Sequence, residues 1–231
     1  MAFRNVVRSI GKSTDRVIGL RAWLSGEPRP PMGGFDLEGE KHIDWGWICV
    51  NLPPAPKRAL EIGSGKSPII PAMQALGYKV TAVDLSTDIT SVYSDITFYR
   101  GDFTKIEFEN PFDIIVLCSV VEHIGLSGRF NSDEDPEGDL KAMKKACELL
   151  EPNGRLFLTI PVGMDTIQKP FHRIYGKNRL RALLDGYAVA DSRYLIKRPW
   201  GPWSLTDEEK ALNFGPDKQR YALGELILTK K

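Results

Sequence analysis

From residue 58 onward, the sequence alternates apolar stretches of strand length with segments of helical pattern. The apolar stretches lie at about 58–62, 79–83, 96–100, 113–118 and 154–160. Helices are predicted to begin near three positions: Pro68, Ser86 and Pro136. This alternation predicts a doubly wound α/β fold, with a mostly parallel sheet and helices on both faces. In such a fold, ligands bind where the strands end at their carboxyl side.

Length and composition favour one large α/β domain after an N-terminal segment. The chain has 231 residues, of which 42% are hydrophobic, enough for a sizeable core. We divide it into a cap segment, 1–57, and a main domain, 58–231. The main domain is predicted to end with a helix from Lys177 to Leu184 and strands at 187–196 and 221–228. Its clearest helix is predicted over 136–150, with Asp135 as N-cap and an apolar stripe of Leu140, Met143, Cys147 and Leu150.

Cysteine usage and charge exclude several function classes. The three cysteines are widely spaced and predict neither a disulfide framework nor a metal site, which suits a reducing, cytoplasmic setting. Apolar runs are too short for a membrane span. A net charge of +1 argues against a general nucleic-acid binder, although the charge is uneven. Residues 101–151 carry twelve acids and five cations, whereas residues 167–200 carry eight cations and two acids.

The turn after the first predicted strand, Gly63-Ser64-Gly65, is the first candidate ligand site. Gly65-Lys66-Ser67 resembles the end of a nucleoside triphosphate loop, but that motif needs a glycine where Leu60 stands. A dinucleotide fingerprint needs a third glycine where the chain has Pro68. The turn therefore suits a ligand without a pyrophosphate, and Glu61 beside it attracts a cation.

Acidic residues also end the next two predicted strands. Asp84 stands 21 residues after Gly63, at the position where a carboxylate can accept both hydroxyls of a ribose. Asp102 and Phe103 follow the third strand, and this pair suits the amino group and the face of an adenine ring. Each acid alone is more often a helix cap or a surface charge. Their recurrence at successive strand ends favours a nucleoside site.

Five segments in order carry a family resemblance: "LEIGSGKS", "VTAVDLS", "YRGDF", "FDIIVLCSVVEHIG" and "LLEPNGRLFLTIPV". Together they resemble the motifs of the class I S-adenosylmethionine-dependent methyltransferases, of methyltransferase type 11. The resemblance implies a Rossmann-like, seven-stranded sheet whose last strand is antiparallel. It also implies contacts with S-adenosylmethionine, namely the methionine part at Glu61, Gly63 and Gly65, the ribose at Asp84, the adenine at Asp102 and Phe103, and further cofactor contacts at Ser64, Leu85 and Ser119. Ser67 stands where the family usually has a third loop glycine.

A narrower resemblance extends downstream through Glu122-His123, Gly138-Asp139 and "HRIYG" at 172–176. This pattern is similar to a little-characterised methyltransferase-like group found partly near glycan biosynthesis genes. The substrate of that group does not carry over to this chain. We expect methyl transfer to a small acceptor, which can be anionic, such as a hydroxyl of a sugar or glycan precursor. The sequence sets neither the acceptor atom nor the oligomeric state.

Three titratable residues are candidates for a general base on a hydroxyl acceptor. His172 and His123 follow predicted strands, and histidine titrates near neutral pH. Glu122 is the alternative base, or binds a substrate hydroxyl. The competing interpretation of each histidine is an ordinary hydrogen-bonding loop residue.

Arg173 and Tyr175 adjoin His172 in a cation-rich stretch and are predicted to bind substrate. An arginine recognises phosphate or carboxylate through two parallel hydrogen bonds, which favours an anionic acceptor. The alternative is a solvated basic face. RNA is a poorer candidate because no RNA-binding module is present.

The first residues form a basic amphipathic pattern, with Arg4, Arg8, Lys12 and Arg16 at four-residue spacing. Residues 1–24 are predicted either to lie on a membrane surface or to pack as a cap helix. Two functional alternatives to the methyltransferase remain at this point, namely a non-catalytic S-adenosylmethionine-binding scaffold and, far behind it, a P-loop NTPase.

Overall fold

The structure is a computed structural model that describes residues 40–55, 57–65, 67–85, 93–127, 133–168, 172–197, 203–215 and 221–231. The strands in these residues are β1 (Arg58–Ile62), β2 (Lys79–Asp84), β3 (Thr97–Arg100), β4 (Phe112–Cys118), β5 (Leu150–Val162), β6 (Thr166–Gln168), β7 (His172–Ile174), β8 (Tyr187–Lys197), β9 (Trp203–Thr206) and β10 (Ala222–Lys230). The α-helices are α1 (Lys41–Asn51), α2 (Ile69–Ala75), α3 (Gly138–Leu149), α4 (Lys177–Leu183) and α5 (Glu208–Leu212). Two short 3₁₀ helices cover Phe103–Lys105 and Val121–His123.

The main sheet has the order β3-β2-β1-β4-β5-β10-β8-β9. Neighbours from β3 to β5 pair in parallel, and β10 is antiparallel to both β5 and β8. The predicted doubly wound fold is therefore confirmed, including the antiparallel last strand. The sheet has eight strands rather than seven, because β9 pairs with β8 at the edge. A separate hairpin of β6 and β7 was not predicted from the sequence.

The central strands are apolar along most of their length because helices cover both faces of the sheet. Leu60 and Ile62 of β1 point into one core cluster with α3 and α4, whereas Ala59 points into the other with α1 and α2. The sheet is thus a wall between two cores. Only the edges of the sheet and the ends of its strands are left to contact a ligand.

Helix α1, which lies within the predicted cap segment, packs on the second face of the sheet. Its Trp47 stands edge-on to Phe157 of β5, with ring centroids 6.0 Å apart. Arg193 of β8 lies over the same Trp47 ring and forms an ion pair with the buried Glu225 of β10. These contacts fix α1 beside the strand ends.

Helix α3 begins at Gly138, two residues later than predicted. The side chain of Asp135 accepts a hydrogen bond from the Glu137 amide, which closes a turn before the helix. The Pro136 carbonyl accepts hydrogen bonds from two arginine side chains, so it does not serve as the first helical acceptor. The buried face also differs from the predicted stripe. Leu140 and Cys147 are only partly buried, and the fully buried positions are Gly138, Asp139, Ala142, Met143 and Ala146.

Several predictions fall on residues outside those described. They concern the basic amphipathic pattern and membrane contact of residues 1–24, the helix start at Ser86, and Lys66 of the triphosphate-loop resemblance. Within the part of the chain that is described, no helix is both long and apolar enough to cross a membrane.

Candidate active site

A cavity of about 660 Å³ opens at the edge of the sheet where β1, β2, β4 and β5 end. Its lining includes Gly63 after β1, Asp84 at the end of β2, Ser119 after β4 and Pro161 near the end of β5. Strand β10 runs in the opposite direction, so the residue before it, Tyr221, reaches the same edge. The cavity therefore lies at the position where doubly wound sheets bind their ligands.

In the turn after β1, neighbouring atoms crowd Gly63 and leave open space at Gly65. Gly63 and Gly65 both adopt left-handed backbone conformations, with φ of +67° and +50°. A Cβ atom at Gly63 would lie 2.5 Å from the Val120 side chain, whereas nothing lies within 4 Å of a Cβ atom at Gly65. Glycine is thus required at the first position for packing, and the second leaves room for a ligand to approach the backbone.

Asp84 ends β2 with its side chain almost fully buried. Its Oδ2 accepts a hydrogen bond of 2.9 Å from the Gly65 amide, which ties the strand end to the glycine turn. Asp84 and Leu85 both line the cavity. This places a carboxylate where the sequence predicted the ribose.

Asp102 and Phe103 line the next part of the cavity. Oδ1 of Asp102 accepts hydrogen bonds from the amide and hydroxyl of Thr104, at 2.9 and 2.7 Å, and so caps the 3₁₀ helix. Its Oδ2 lies 3.8 Å from Lys105 Nζ. Phe103 is buried against Phe108. The Asp102 side chain therefore caps the 3₁₀ helix and also lines the cavity.

Glu61 and Ser64 are buried but are not among the residues that line the cavity. The Glu61 carboxyl accepts a hydrogen bond from the Ser67 side chain. Burial raises its pKa to about 8, although this hydrogen bond and the Lys41 charge act in the opposite direction. Glu61 Oε2 and Ser64 Oγ are buried without a hydrogen-bond partner among the described residues, so the predicted contacts of these two residues with the cofactor stay predictions.

Helix α1 supplies cavity residues that sequence reasoning missed. Glu40 and Lys41 line the cavity, and Lys41 Nζ donates a 3.4 Å hydrogen bond to the Cys118 carbonyl. The helix is held there by Asp44, whose Oδ2 accepts hydrogen bonds from the hydroxyls of Ser119, at 2.9 Å, and Thr159, at 3.0 Å. Burial raises the Asp44 pKa to about 7. No sequence motif predicts the position of α1, because that position depends on tertiary packing.

The far wall of the cavity joins Glu122, His123, His172 and Tyr221. His123 Nε2 lies 3.6 Å from Glu122 Oε1. The ring centroids of His123 and His172 are 6.2 Å apart, and those of His172 and Tyr221 are 5.5 Å apart. The Tyr221 hydroxyl is hydrogen-bonded to the Glu40 side chain. All three predicted bases thus meet in one place, and Tyr221 joins them.

Tyr221 could have been found from the sequence. The predicted antiparallel last strand begins at residue 221, and the start of an antiparallel strand lies beside the carboxyl ends of its parallel neighbours. The residues at that start were therefore site candidates.

Arg173 and Tyr175 do not line the cavity, which corrects their predicted role as substrate ligands. Arg173 is only 2% exposed, and its guanidinium donates hydrogen bonds to the backbone carbonyls of Ile124 and Asp135, at 2.6 and 3.3 Å. The Tyr175 hydroxyl donates to Asp139 at 3.1 Å. Internal partners therefore occupy the groups that were expected to hold an anion.

This internal cluster, made of Arg173, Tyr175, Asp139 and Arg179, links α4, which carries Arg179, to three further chain segments. Arg173 Nε lies 3.6 Å from Asp139 Oδ2, and Arg179 Nε donates to the same oxygen at 3.1 Å. The cluster joins β7, α3 and the loop that carries Glu122 and His123. Most of the narrower sequence pattern thus builds the wall of the cavity without lining it.

Comparisons with solved structures agree with the fold. A 1,6-didemethyltoxoflavin-N1-methyltransferase from Burkholderia thailandensis, solved with bound 1,6-didemethyltoxoflavin and S-adenosylhomocysteine, superposes with a TM-score of 0.57 at 17% identity, covering 100% of this chain and 90% of that one. The N-methyltransferase NodS from Bradyrhizobium japonicum WM9 gives a TM-score of 0.56 at 14% identity, over 85% of this chain and 99% of that one. In fold, this chain is similar to these two methyltransferases.

Sequence comparison gives the family. Residues 70–211, more than half of the chain, match the family described as "Caenorhabditis protein of unknown function, DUF268", and the chain belongs to this family. A ubiquinone biosynthesis O-methyltransferase from Xanthomonas axonopodis pv. citri (strain 306) is 24% identical over 149 residues, which is 60% of this chain and 55% of that protein. An uncharacterized methyltransferase from Staphylococcus carnosus (strain TM300) is 28% identical over 104 residues, 44% of this chain and 45% of that protein. The chain spans about half the length of these curated relatives.

Proposed function

We propose that the protein transfers a methyl group from S-adenosylmethionine to a small-molecule acceptor. The observation that carries this proposal is the arrangement of the cavity. The glycine turn, Asp84 and the pair Asp102–Phe103 line one end, and the candidate bases line the other. The methyltransferase names of the similar proteins support the same reaction.

The described residues fit this cofactor. Open space at Gly65 admits the methionine part close to the backbone, and Asp84 is placed to accept the ribose hydroxyls. Phe103 supports the adenine face, and Asp102 Oδ2 is placed to accept its amino hydrogen. The Lys41 ammonium at the cavity wall is a suitable partner for the methionine carboxylate.

The protein's part in the reaction is mainly to position the reactants and exclude water. S-adenosylmethionine, when bound, supplies a methyl group that its sulfonium has already activated. The wall of Glu122, His123 and His172 is placed to take a proton from the acceptor as it attacks. His172 remains our first candidate, since its ring lies between those of His123 and Tyr221. The acceptor that fits this wall is a sugar or glycan precursor whose hydroxyl receives the methyl. The rest of that molecule must be uncharged or cationic.

Cysteine usage supports a cytoplasmic place of action. The sequence has three widely spaced cysteines, a usage that fits a reducing compartment. We retain a peripheral membrane contact through residues 1–24 as a separate prediction from the sequence.

Calorimetric titration with S-adenosylhomocysteine tests the proposed cofactor site. We expect wild-type binding in the micromolar range, and a loss of about 1.5–3 kcal/mol in Asp84→Ala, the cost of removing a charged hydrogen-bond acceptor. Glu109→Gln, on an exposed loop, is the matched control and should leave the affinity unchanged. Equal affinity in folded Asp84→Ala would remove the ribose assignment. Magnesium-dependent ATP binding that excludes S-adenosylhomocysteine would favour the NTPase alternative.

A further inference from the structure

The cavity is lined by far more acids than bases. Among the described lining residues, the only lysines are Lys41 and Lys105, and none is arginine. The acids that line it are Glu40, Asp84, Asp102, Glu122, Asp133, Glu134 and Asp135. A cleft lined by one sign of charge concentrates ligands of the opposite sign and repels its own. The acidic stretch 101–151 of the sequence supplies five of these seven acids.

Partners already present account for several of these charges. Asp133 forms a 2.7 Å ion pair with Lys105, and Asp135 forms a 2.6 Å ion pair with Lys141. Asp84 and Asp102 belong to the proposed nucleoside end. Three carboxyl groups remain, namely the exposed Glu134 and, at the acceptor end, Glu40 and Glu122. The Lys41 charge acts on Glu122.

Glu122 is the group that points to a ligand. It is 3% exposed and lines the cavity, and its Oε2 has no hydrogen-bond partner among the described residues. A buried oxygen left without a donor costs free energy, so the site is completed by a ligand that donates a hydrogen bond there. An ionised phosphate or carboxylate has no hydrogen to donate there.

Lys41 does not reverse this charge balance. Its charge acts on three buried carboxyls, Asp44, Glu61 and Glu122. Its own ammonium is also the proposed partner of the cofactor's carboxylate. Once that carboxylate is bound, little positive potential is left for an anionic acceptor.

We propose that the acceptor is a small molecule bearing a cationic amine, and that the Glu122 carboxylate binds this amine opposite His172 and Tyr221. This inference rests on the proposed function and replaces the anionic acceptor expected from the sequence. An amino-substituted sugar satisfies both this inference and the glycan-precursor prediction. The amine serves as the group that is recognised, whichever atom receives the methyl.

The ionisation of Glu122 is consistent with such a ligand. Burial raises its pKa to about 8, and Lys41 opposes this rise only in part. An ammonium group at hydrogen-bond distance favours the ionised carboxylate. Binding of the amine is thus coupled to release of a proton from Glu122.

The test measures binding of charge-matched probes to the protein saturated with S-adenosylhomocysteine. Benzylamine, benzyl alcohol and benzoate share one skeleton and carry a positive, zero and negative charge. The chain has only three histidines, so the ring NMR signals of His123 and His172 report on the acceptor end, with His42 of α1 as the internal reference. We expect benzylamine to shift the His123 and His172 signals with an affinity at least ten times that of benzoate, with benzyl alcohol between them.

Two variants localise the effect. Glu122→Gln keeps the size of the side chain and removes its charge, and should weaken benzylamine about tenfold while S-adenosylhomocysteine still binds. Glu109→Gln, which removes an exposed charge outside the cavity lining, should change benzylamine binding less than twofold. Benzoate binding as tightly as benzylamine, or no benzylamine shift at millimolar concentration, would overturn the inference. Failure to bind S-adenosylhomocysteine at all would instead overturn the proposed function.

Discussion

The two ends of the cavity are built in different ways. At the cofactor end, the glycine turn and Asp84 present backbone and one carboxylate to open space, and nothing lies within 4 Å of a Cβ atom at Gly65. At the acceptor end, Glu122 and His123 sit on a loop that buried Arg173 joins to the start of α3. The first end is shaped for a ligand to complete it. The second is fixed by its own buried polar contacts, so folding and function depend there on the same residues.

The largest expected effect is at Gly125 in the acceptor loop. Its φ is +79°, and a Cβ atom there would lie 2.1 Å from the Asp135 carbonyl oxygen. Because backbone stands against backbone, Gly125→Ala should lower the free energy of unfolding by more than about 4 kcal/mol, measured by urea denaturation. Gly65→Ala is the matched control at the cofactor end and should cost only the backbone strain, about 1–2 kcal/mol. Equal losses of unfolding free energy in Gly125→Ala and Gly65→Ala would contradict the difference between the two ends of the cavity.

The second largest effect is expected from removing the buried guanidinium of Arg173. Arg173→Met keeps most of the side-chain volume but removes the buried charge beside Asp139 and leaves the Ile124 and Asp135 carbonyls without this donor, which should cost about 3–5 kcal/mol of stability. Arg181→Met on the exposed face of α4 is the control and should change stability by less than about 0.5 kcal/mol. A loss below 1 kcal/mol in Arg173→Met would mean that the cluster does not hold the acceptor loop.

A smaller effect is expected on catalysis alone. Once an acceptor is found, His172→Ala should lower kcat at least about a hundredfold, or about 2.7 kcal/mol, with unchanged S-adenosylhomocysteine affinity. His42→Ala, in α1 and outside the cavity lining, should keep wild-type kcat. A normal kcat in His172→Ala would move the base to His123 or Glu122. Lost cofactor binding would show that the two ends are not separable.

The last prediction concerns pH and the buried Glu61 carboxyl beside the glycine turn. The Glu61 pKa is raised from 4.5 to about 8, so the folded state binds its proton more tightly than the unfolded state does. The stability this provides is complete below pH 4.5 and is lost as pH rises through about 8. Glu61→Gln should therefore flatten the fall in unfolding free energy between pH 5 and 8, whereas exposed Glu109→Gln should not. An unchanged slope in Glu61→Gln would contradict the buried position.

The sequence predicts the cofactor end better than the acceptor end. Strand β1 lies at 58–62 as predicted, and Asp84 and Asp102 lie at strand ends, because short-range apolar patterns set these positions. The role of Arg173, at the acceptor end, cannot be predicted in this way. An arginine in a basic stretch is compatible with solvent-facing binding of an anion and equally with a buried position that links chain segments. Only the positions of Ile124, Asp135 and Asp139, 34 to 49 residues away in sequence, decide between them.

Lys41 could not have been predicted for a related reason. It reaches the cavity because Asp44 is hydrogen-bonded to Ser119 and Thr159, 75 and 115 residues further along the chain. The late start of α3 also depends on distant residues, since arginines from β7 and α4 take the Pro136 carbonyl. Local propensity does not contain such long-range partners.

Strand β10 also has a consequence for how the protein is made. Its residues, 222–230, are the last strand in chain order, yet they lie between β5 and β8 in the interior of the sheet. Until the ribosome has released them, β5 and β8 each expose an unpaired edge that can pair with another nascent chain. We therefore expect newly synthesised chains to be prone to aggregation, and to depend on chaperones, until this strand inserts.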